Sequence, residues 1–137
     1  MVKLRLRRRG RKRAPFYDIV AVDARRRRDG AFIERVGYYN PMTQPSTIVL
    51  DHERSIYWLN VGAQPTDIVR SLLSYDGVLL RRQMQFKGKE TAEISTAVDN
   101  HKENALARYK RKKEQLSVKK TKAKEAKAAE AENTASE

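Results

Sequence analysis

Cysteine is absent from this chain of 137 residues, which excludes disulfide staples and thiolate-bound zinc. Histidine is nearly absent as well. His52 and His101 lie far apart, and neither has a second ligand-type residue three or four positions further on. A metal site is therefore not expected, and His52 reads as an exposed residue in the first turn of a helix. No apolar run approaches the roughly 18 residues of a membrane span. The basic N-terminus lacks the apolar segment of a secretory signal. The phosphate-cradling patterns G-x-x-x-x-G-K-[ST] and G-x-G-x-x-G are missing, and so is the G-x-S-x-G of a serine nucleophile. No close pair of carboxylates stands out as acid and base. No catalytic residue, cofactor or small-molecule substrate is assigned.

Positive charge is what the sequence has in excess, with 30 Lys or Arg against 17 Asp or Glu and a net charge of +13. It is not spread evenly. Residues 1–30 carry 12 basic and 3 acidic residues, residues 31–86 carry 5 of each, and residues 87–137 carry 13 and 9. Residues 1–86 also hold nine of the ten aromatic residues and all 4 prolines. Beyond Ala105 the chain becomes rich in Lys, Glu and Ala, and residues 119–137 hold no large apolar side chain. That end cannot bury enough surface to offset its ordering entropy. The composition predicts one folded domain over 1–85 and a basic, low-complexity C-terminal extension over 86–137, partly helical or disordered.

Val2, Leu4 and Leu6 alternate with Lys3, Arg5 and Arg7, the period of a strand with one apolar and one basic face. Cations at every second position of a strand stand about 6.6 Å apart, close to phosphate spacing along a nucleic-acid strand. Residues 7–13 contain no apolar residue and read as a basic loop. Phe16–Val22 reads as a second strand, with Arg25, Arg26, Arg27 and Arg28 next and Asp29-Gly30 as a turn. A third strand is predicted over Ala31–Val36, a loop over Gly37–Pro45, and a short strand over Thr47–Leu50. Asp51 and Thr66 are N-cap residues for two helices, ending near Gly62 and Gly77. Val78-Leu79-Leu80 is too short to assign, and a marginal helix is expected over Ala92–Leu116. The fold class is α+β: a small mixed sheet of about four strands with two helices packed on it, followed by a Lys/Ala/Glu-rich tail. Phe16, Phe32 and Trp58 are expected in the core.

Charge this dense points to a polyanion. Eight of residues 3–13 are Lys or Arg, with no acid among them. Such like charges repel within a screening length of about 10 Å unless an anion neutralises them. Arg outnumbers Lys by ten to two in residues 1–30, and the Arg fork grips phosphate with two donors and stacks on bases. The candidate nucleic-acid-binding residues are Lys3, Arg5, Arg7, Arg8, Arg9, Arg11, Lys12, Arg13 and Arg25–Arg28, and the charge alone does not say which nucleic acid they bind. Tyr17, Tyr38, Tyr39 and Asn40, beside these segments, are candidates for stacking or for bonds to phosphate and ribose.

These residues also resemble a known family. The opening Met1-Val2-Lys3-Leu4-Arg5-Leu6-Arg7-Arg8 and the following Gly10-Arg11-Lys12-Arg13-Ala14-Pro15-Phe16-Tyr17 are similar to the start of the small-subunit ribosomal proteins of the S-sixteen family. Arg28-Asp29-Gly30, Phe32-Ile33-Glu34, Tyr39-Asn40-Pro41, Tyr57-Trp58-Leu59 and Gly62-Ala63-Gln64-Pro65-Thr66-Asp67 continue the likeness over about 80 residues. The resemblance implies a structural, non-enzymatic constituent of the small ribosomal subunit. It implies binding to the 5′ domain of small-subunit ribosomal RNA, support of assembly, and contacts with neighbouring small-subunit proteins. It also implies a monomer outside the ribosome and a cytoplasmic, ribosome-bound location, an organellar ribosome being less expected because the motif starts at Met1. Asp18 departs from the family, standing where a basic residue is usual. The alternative is a non-ribosomal nucleic-acid-binding module or nuclease using the same basic face.

Overall fold

The computed structural model describes the backbone of residues 1–134 and the side chains of residues 1–119 and Thr121. Strands β1 (Val2–Arg11) and β2 (Ala14–Asp23) form a long antiparallel hairpin. β3 (Glu34–Asn40) pairs antiparallel with β2, and β4 (Thr47–Leu50) with β3. After α1 (His52–Asn60), the two-residue β5 (Gln64–Pro65) lies parallel to β1 and completes the sheet order β4-β3-β2-β1-β5. Helices α2 (Asp67–Tyr75), α3 (Val78–Phe86) and α4 (Thr91–Thr134) follow. The fold is α+β, with a short fifth strand and one helix, α3, that the sequence pattern does not assign. The chain divides into two units, Met1–Lys102 and Glu103–Glu137. In the second unit Leu106, Leu116 and Val118 are exposed along the helix.

One face of the first unit's sheet is apolar. Leu4, Ile19, Ala21 and Val36 pack against Ile56 and Leu59 of α1, Val69 and Leu73 of α2 and Val78 of α3. Burying each large apolar side chain stabilises the fold by about 1.5–3 kcal/mol. Trp58 packs against this cluster from its edge, as its place on α1 implies. Asp51 caps α1 by accepting the Arg54 amide at 3.1 Å. Ile94 and Val98 of α4 are also buried.

Several boundaries differ from the sequence pattern for identifiable reasons. The stretch Arg7–Arg13, expected as a loop, is strand up to Arg11, and only Lys12 and Arg13 turn. Alternate side chains project to opposite faces, so the charges on one face are spaced by two residues and the ladder survives them. Gly10 has φ +82°, and a Cβ there would collide with the Ala14 carbonyl, which explains a glycine inside the arm. The third strand begins at Glu34, not Ala31, and continues through residues 37–40, expected as loop. Gly37 marks a close approach instead of a turn: an added Cβ would lie 3.0 Å from the Leu50 Cα and against the Val49 carbonyl. Val78-Leu79-Leu80 opens α3, with Gly77 at φ +87° as the hinge from α2. The helix expected over Ala92–Leu116 is part of the longer α4. His52 is not exposed: its side chain is 15% accessible and its Nε2 lies 2.7 Å from Asp76 Oδ2.

Candidate nucleic-acid interface

Strand parity sorts the candidate residues. Leu4 and Leu6 face the helices, so Lys3, Arg5, Arg7, Arg9 and Arg11 line the opposite face of β1. Across the hairpin they oppose Val22, Val20, Asp18, Phe16 and Ala14 of β2. A β-bulge between Ile19 and Val20 makes Gly37 pair with Ile19 and Arg35 with Val20, which leaves Val36 as the extra residue. Arg35 and Tyr38 thereby join the basic face. Tyr38 stacks on Phe16 with ring centroids 5.3 Å apart. Arg8, Tyr17 and Tyr39 take the helix side, where Tyr17 stacks on Tyr39 at 6.2 Å and Tyr39 packs against the core. The candidate set is thus split between two faces. Lys12 and Arg13 sit exposed at the hairpin tip, Arg13 with φ +68°.

The Arg-rich segment between β2 and β3 folds back onto the basic face. The Ile33 amide donates to the Ala21 carbonyl at 2.9 Å. Arg5 Nη2 donates to the Arg26 carbonyl at 2.8 Å and the Arg27 carbonyl at 2.5 Å. Arg7 Nη2 reaches the Asp29 carbonyl at 3.4 Å, and its guanidinium lies 5.1 Å from the centre of the Phe32 ring. Phe32, expected in the core, is 38% exposed on this face, and Phe16 is only half-buried. Arg5 and Arg7 therefore use donors to pin the loop that carries Arg25, Arg26, Arg27 and Arg28. All four of these side chains are exposed. Val20 and Val22 are buried on this face, where long arginine stems can cover apolar surface. Asn40 also works locally, its Oδ1 accepting the Met42 amide at 3.0 Å to start the β3–β4 turn.

Two residues that sequence reasoning did not assign to the site belong to this face. Asp18 has a side chain only 2% exposed, and it pairs with Arg9 at 3.2 Å and with Arg35 at 3.8 Å. The signal for Asp18 was its departure from the family pattern. For Arg35 the sequence carries no signal, because the bulge sets its direction.

Glu34 fixes the start of β3 to α1. Its carboxylate accepts from Arg54 Nε and Nη2, both at 2.7 Å, and from Trp58 Nε1 at 2.8 Å. The Arg54 bond is the main cause that holds the Glu34 carboxyl below its usual 4.5, with burial opposing and Trp58 assisting. A folded-state carboxyl held low stabilises the fold above its unfolded value and stops doing so as pH falls through the folded value. Acidification below about pH 4.5 should therefore lower the melting temperature of the wild type more steeply than that of Glu34→Gln. Melts followed by circular dichroism between pH 7 and 3 check this, and equal slopes would remove Glu34 as a source of the acid sensitivity.

The family model for ribosomal protein S16 matches residues 8–66, from the hairpin arm to the end of β5. The small ribosomal subunit protein bS16 of Chloroherpeton thalassium is 44% identical over 133 residues, covering 97% of this chain and 98% of that protein. The chain belongs to the ribosomal protein S16 family. The bS16 of Chlorobium phaeobacteroides is 45% identical over 96% of both chains. The bS16 of Thermomicrobium roseum is 58% identical over 95 residues, which are 96% of that protein but only 69% of this chain. The span matched by the S16 model contains Asp18, Arg35 and most of the basic face. Elsewhere, a cleft of about 530 Å³ between the start of α1, α3 and α4 is lined by mixed charges, among them Glu53, Arg81, Asp99 and Lys102, and shares no residue with that face. Among the described residues no group of three or more His, Asp or Glu is arranged to hold a metal ion, and no helix is long and apolar enough to cross a membrane.

Proposed function

We propose that this S16-family chain is a structural constituent of the small ribosomal subunit that binds the 5′ domain of small-subunit ribosomal RNA and supports assembly of the particle. The observation that carries the reading is the single basic face of the β1–β2 hairpin, with the Arg25–Arg28 loop pinned to it by Arg5 and Arg7. Its working atoms are guanidinium and ammonium donors on a rigid sheet, suited to phosphates of two adjoining RNA strands. RNA shape, not base edges, then sets where it docks. The role is structural and not enzymatic, in the cytoplasm on the ribosome, with neighbouring small-subunit proteins as further partners.

Sedimentation tests this. The chain should migrate with small subunits in a gradient and remain there at moderate salt. The binding constant for isolated ribosomal RNA should fall with salt at a log–log slope of about −0.7 to −0.9 per neutralised phosphate. A chain that stays at the top of the gradient would favour a free nucleic-acid-binding module or a nuclease instead.

A further inference from the structure

A carboxylate buried in the most basic face of the molecule needs a reason. Asp18 is 1% exposed and lies on β2 between the two neighbouring strands. Arg9 of β1 approaches its Oδ2 at 3.2 Å and Arg35 of β3 approaches its Oδ1 at 3.8 Å. The two guanidiniums therefore meet over one carboxylate although they come from strands on either side of it. Both stay open to solvent, with side chains 58% and 54% exposed. The Oδ1 atom is buried without a hydrogen bond, so Arg35 is held there by charge, and its N–H donors remain for another acceptor. The Phe16–Tyr38 stack lies on the same face, opposite Arg9 and beside Asp18 in register.

We propose that Asp18 is a positioning residue for a phosphate site: it draws Arg9 and Arg35 together so that their outer donors clamp one RNA backbone phosphate beside the Phe16–Tyr38 stack. The inference rests on the RNA-binding reading above and adds to it a specific pair of donors, one of them Arg35. Two planar forks held over a common anion lose little side-chain freedom when a phosphate arrives, and they keep a net positive charge of one after Asp18 is counted. A flexible pair of arginines would have to be ordered by the ligand itself.

Asp18→Asn gives a test of sign. The substitution is nearly isosteric and makes the face one charge more positive. If Asp18 is a bystander, RNA should bind more tightly and with a steeper salt slope. If it positions the forks, binding should weaken despite the added charge. The probe is a transcript of the 5′ domain of small-subunit ribosomal RNA, titrated with the full chain at several KCl concentrations. For Asp18→Asn and for Arg35→Lys, which keeps charge but loses the fork, the expected loss is about fivefold to tenfold. Arg35→Gln should in addition reduce the salt slope by about 0.7–0.9, which a general loss of stability would not do once the folded protein is in excess. Melting curves verify that each variant is folded at the titration temperature, and if Asp18→Asn is not, Arg35→Lys and Arg35→Gln decide alone. Asp18→Asn binding as tightly as the wild type or tighter, or Arg35→Lys indistinguishable from it, overturns the positioning role and leaves RNA binding standing. A wild type that does not bind the transcript overturns both.

Discussion

Replacing Arg11 and Arg13 together by Glu should abolish incorporation into small subunits while leaving the thermal melt almost unchanged. Both side chains are exposed where β1 turns into β2, and no ion pair among the described residues involves either. The arm at this point lies beyond the buried cluster, whose β1 members are Leu4 with Val2 and Leu6 at its edge. No hydrogen bond or ion pair among the described side chains depends on the two charges, and exposed substitutions usually change stability by about 0.5 kcal/mol or less. On the proposed function, RNA binding should depend on them strongly. A charge-assisted hydrogen bond is worth roughly 1.5–3 kcal/mol, so losing two costs on the order of 3–6 kcal/mol before the new repulsion is counted. That corresponds to at least about a hundredfold in affinity. Reconstitution followed by gradient sedimentation measures the first quantity and circular dichroism the second. Normal incorporation of the double reversal would remove the hairpin tip from the interface.

The sequence pattern was most reliable where one physical signal acted alone. The alternation of Val2, Leu4 and Leu6 with Lys3, Arg5 and Arg7 does give a strand with one apolar and one basic face. Asp51 does cap α1, and Gly77 does separate α2 from α3. The pattern misled where two signals conflicted. Arg7–Arg11 lacked apolar residues and read as loop, but pairing with β2 supplied ladder bonds that composition does not report. Gly37–Pro45 read as loop because Asn40-Pro41 and Pro45 mark one, whereas β3 runs on to Asn40 and β4 packs too close to Gly37 for any side chain there. The site was partly legible for the same reasons. Charge density marked the face, but only three-dimensional contacts show that Arg5 and Arg7 hold a loop, that Asn40 closes a turn, and that Tyr17 and Tyr39 lie on the other side of the sheet from Tyr38. Arg35 could not be assigned, because a one-residue bulge decides which way it points.

Arg9→Gln and Arg35→Gln should each weaken RNA binding, and they should be strongly non-additive in their effect on stability. Each guanidinium is more than half exposed, so an isolated replacement forfeits only a surface-type pair, worth at most about 1 kcal/mol. After either single change Asp18 keeps one cation. After both, a carboxylate with a 2% exposed side chain has lost both of the cations within ion-pair distance of it. Stranding a buried charge in this way costs roughly 3–5 kcal/mol, well above the sum of the singles. Adding Asp18→Asn to the double variant removes the stranded charge and should return most of the lost stability, without restoring RNA affinity. Urea melts of the wild type, the two singles, the double and the triple at neutral pH form the cycle, and the same five proteins titrated with the RNA transcript give the second readout. Additive stability losses with no recovery in the triple would mean that Asp18 is already solvated in the folded chain. Recovery of the fold without recovery of binding would separate the two uses of the same three side chains: neutralising a buried carboxylate between strands, and presenting to RNA the donors that the carboxylate leaves free.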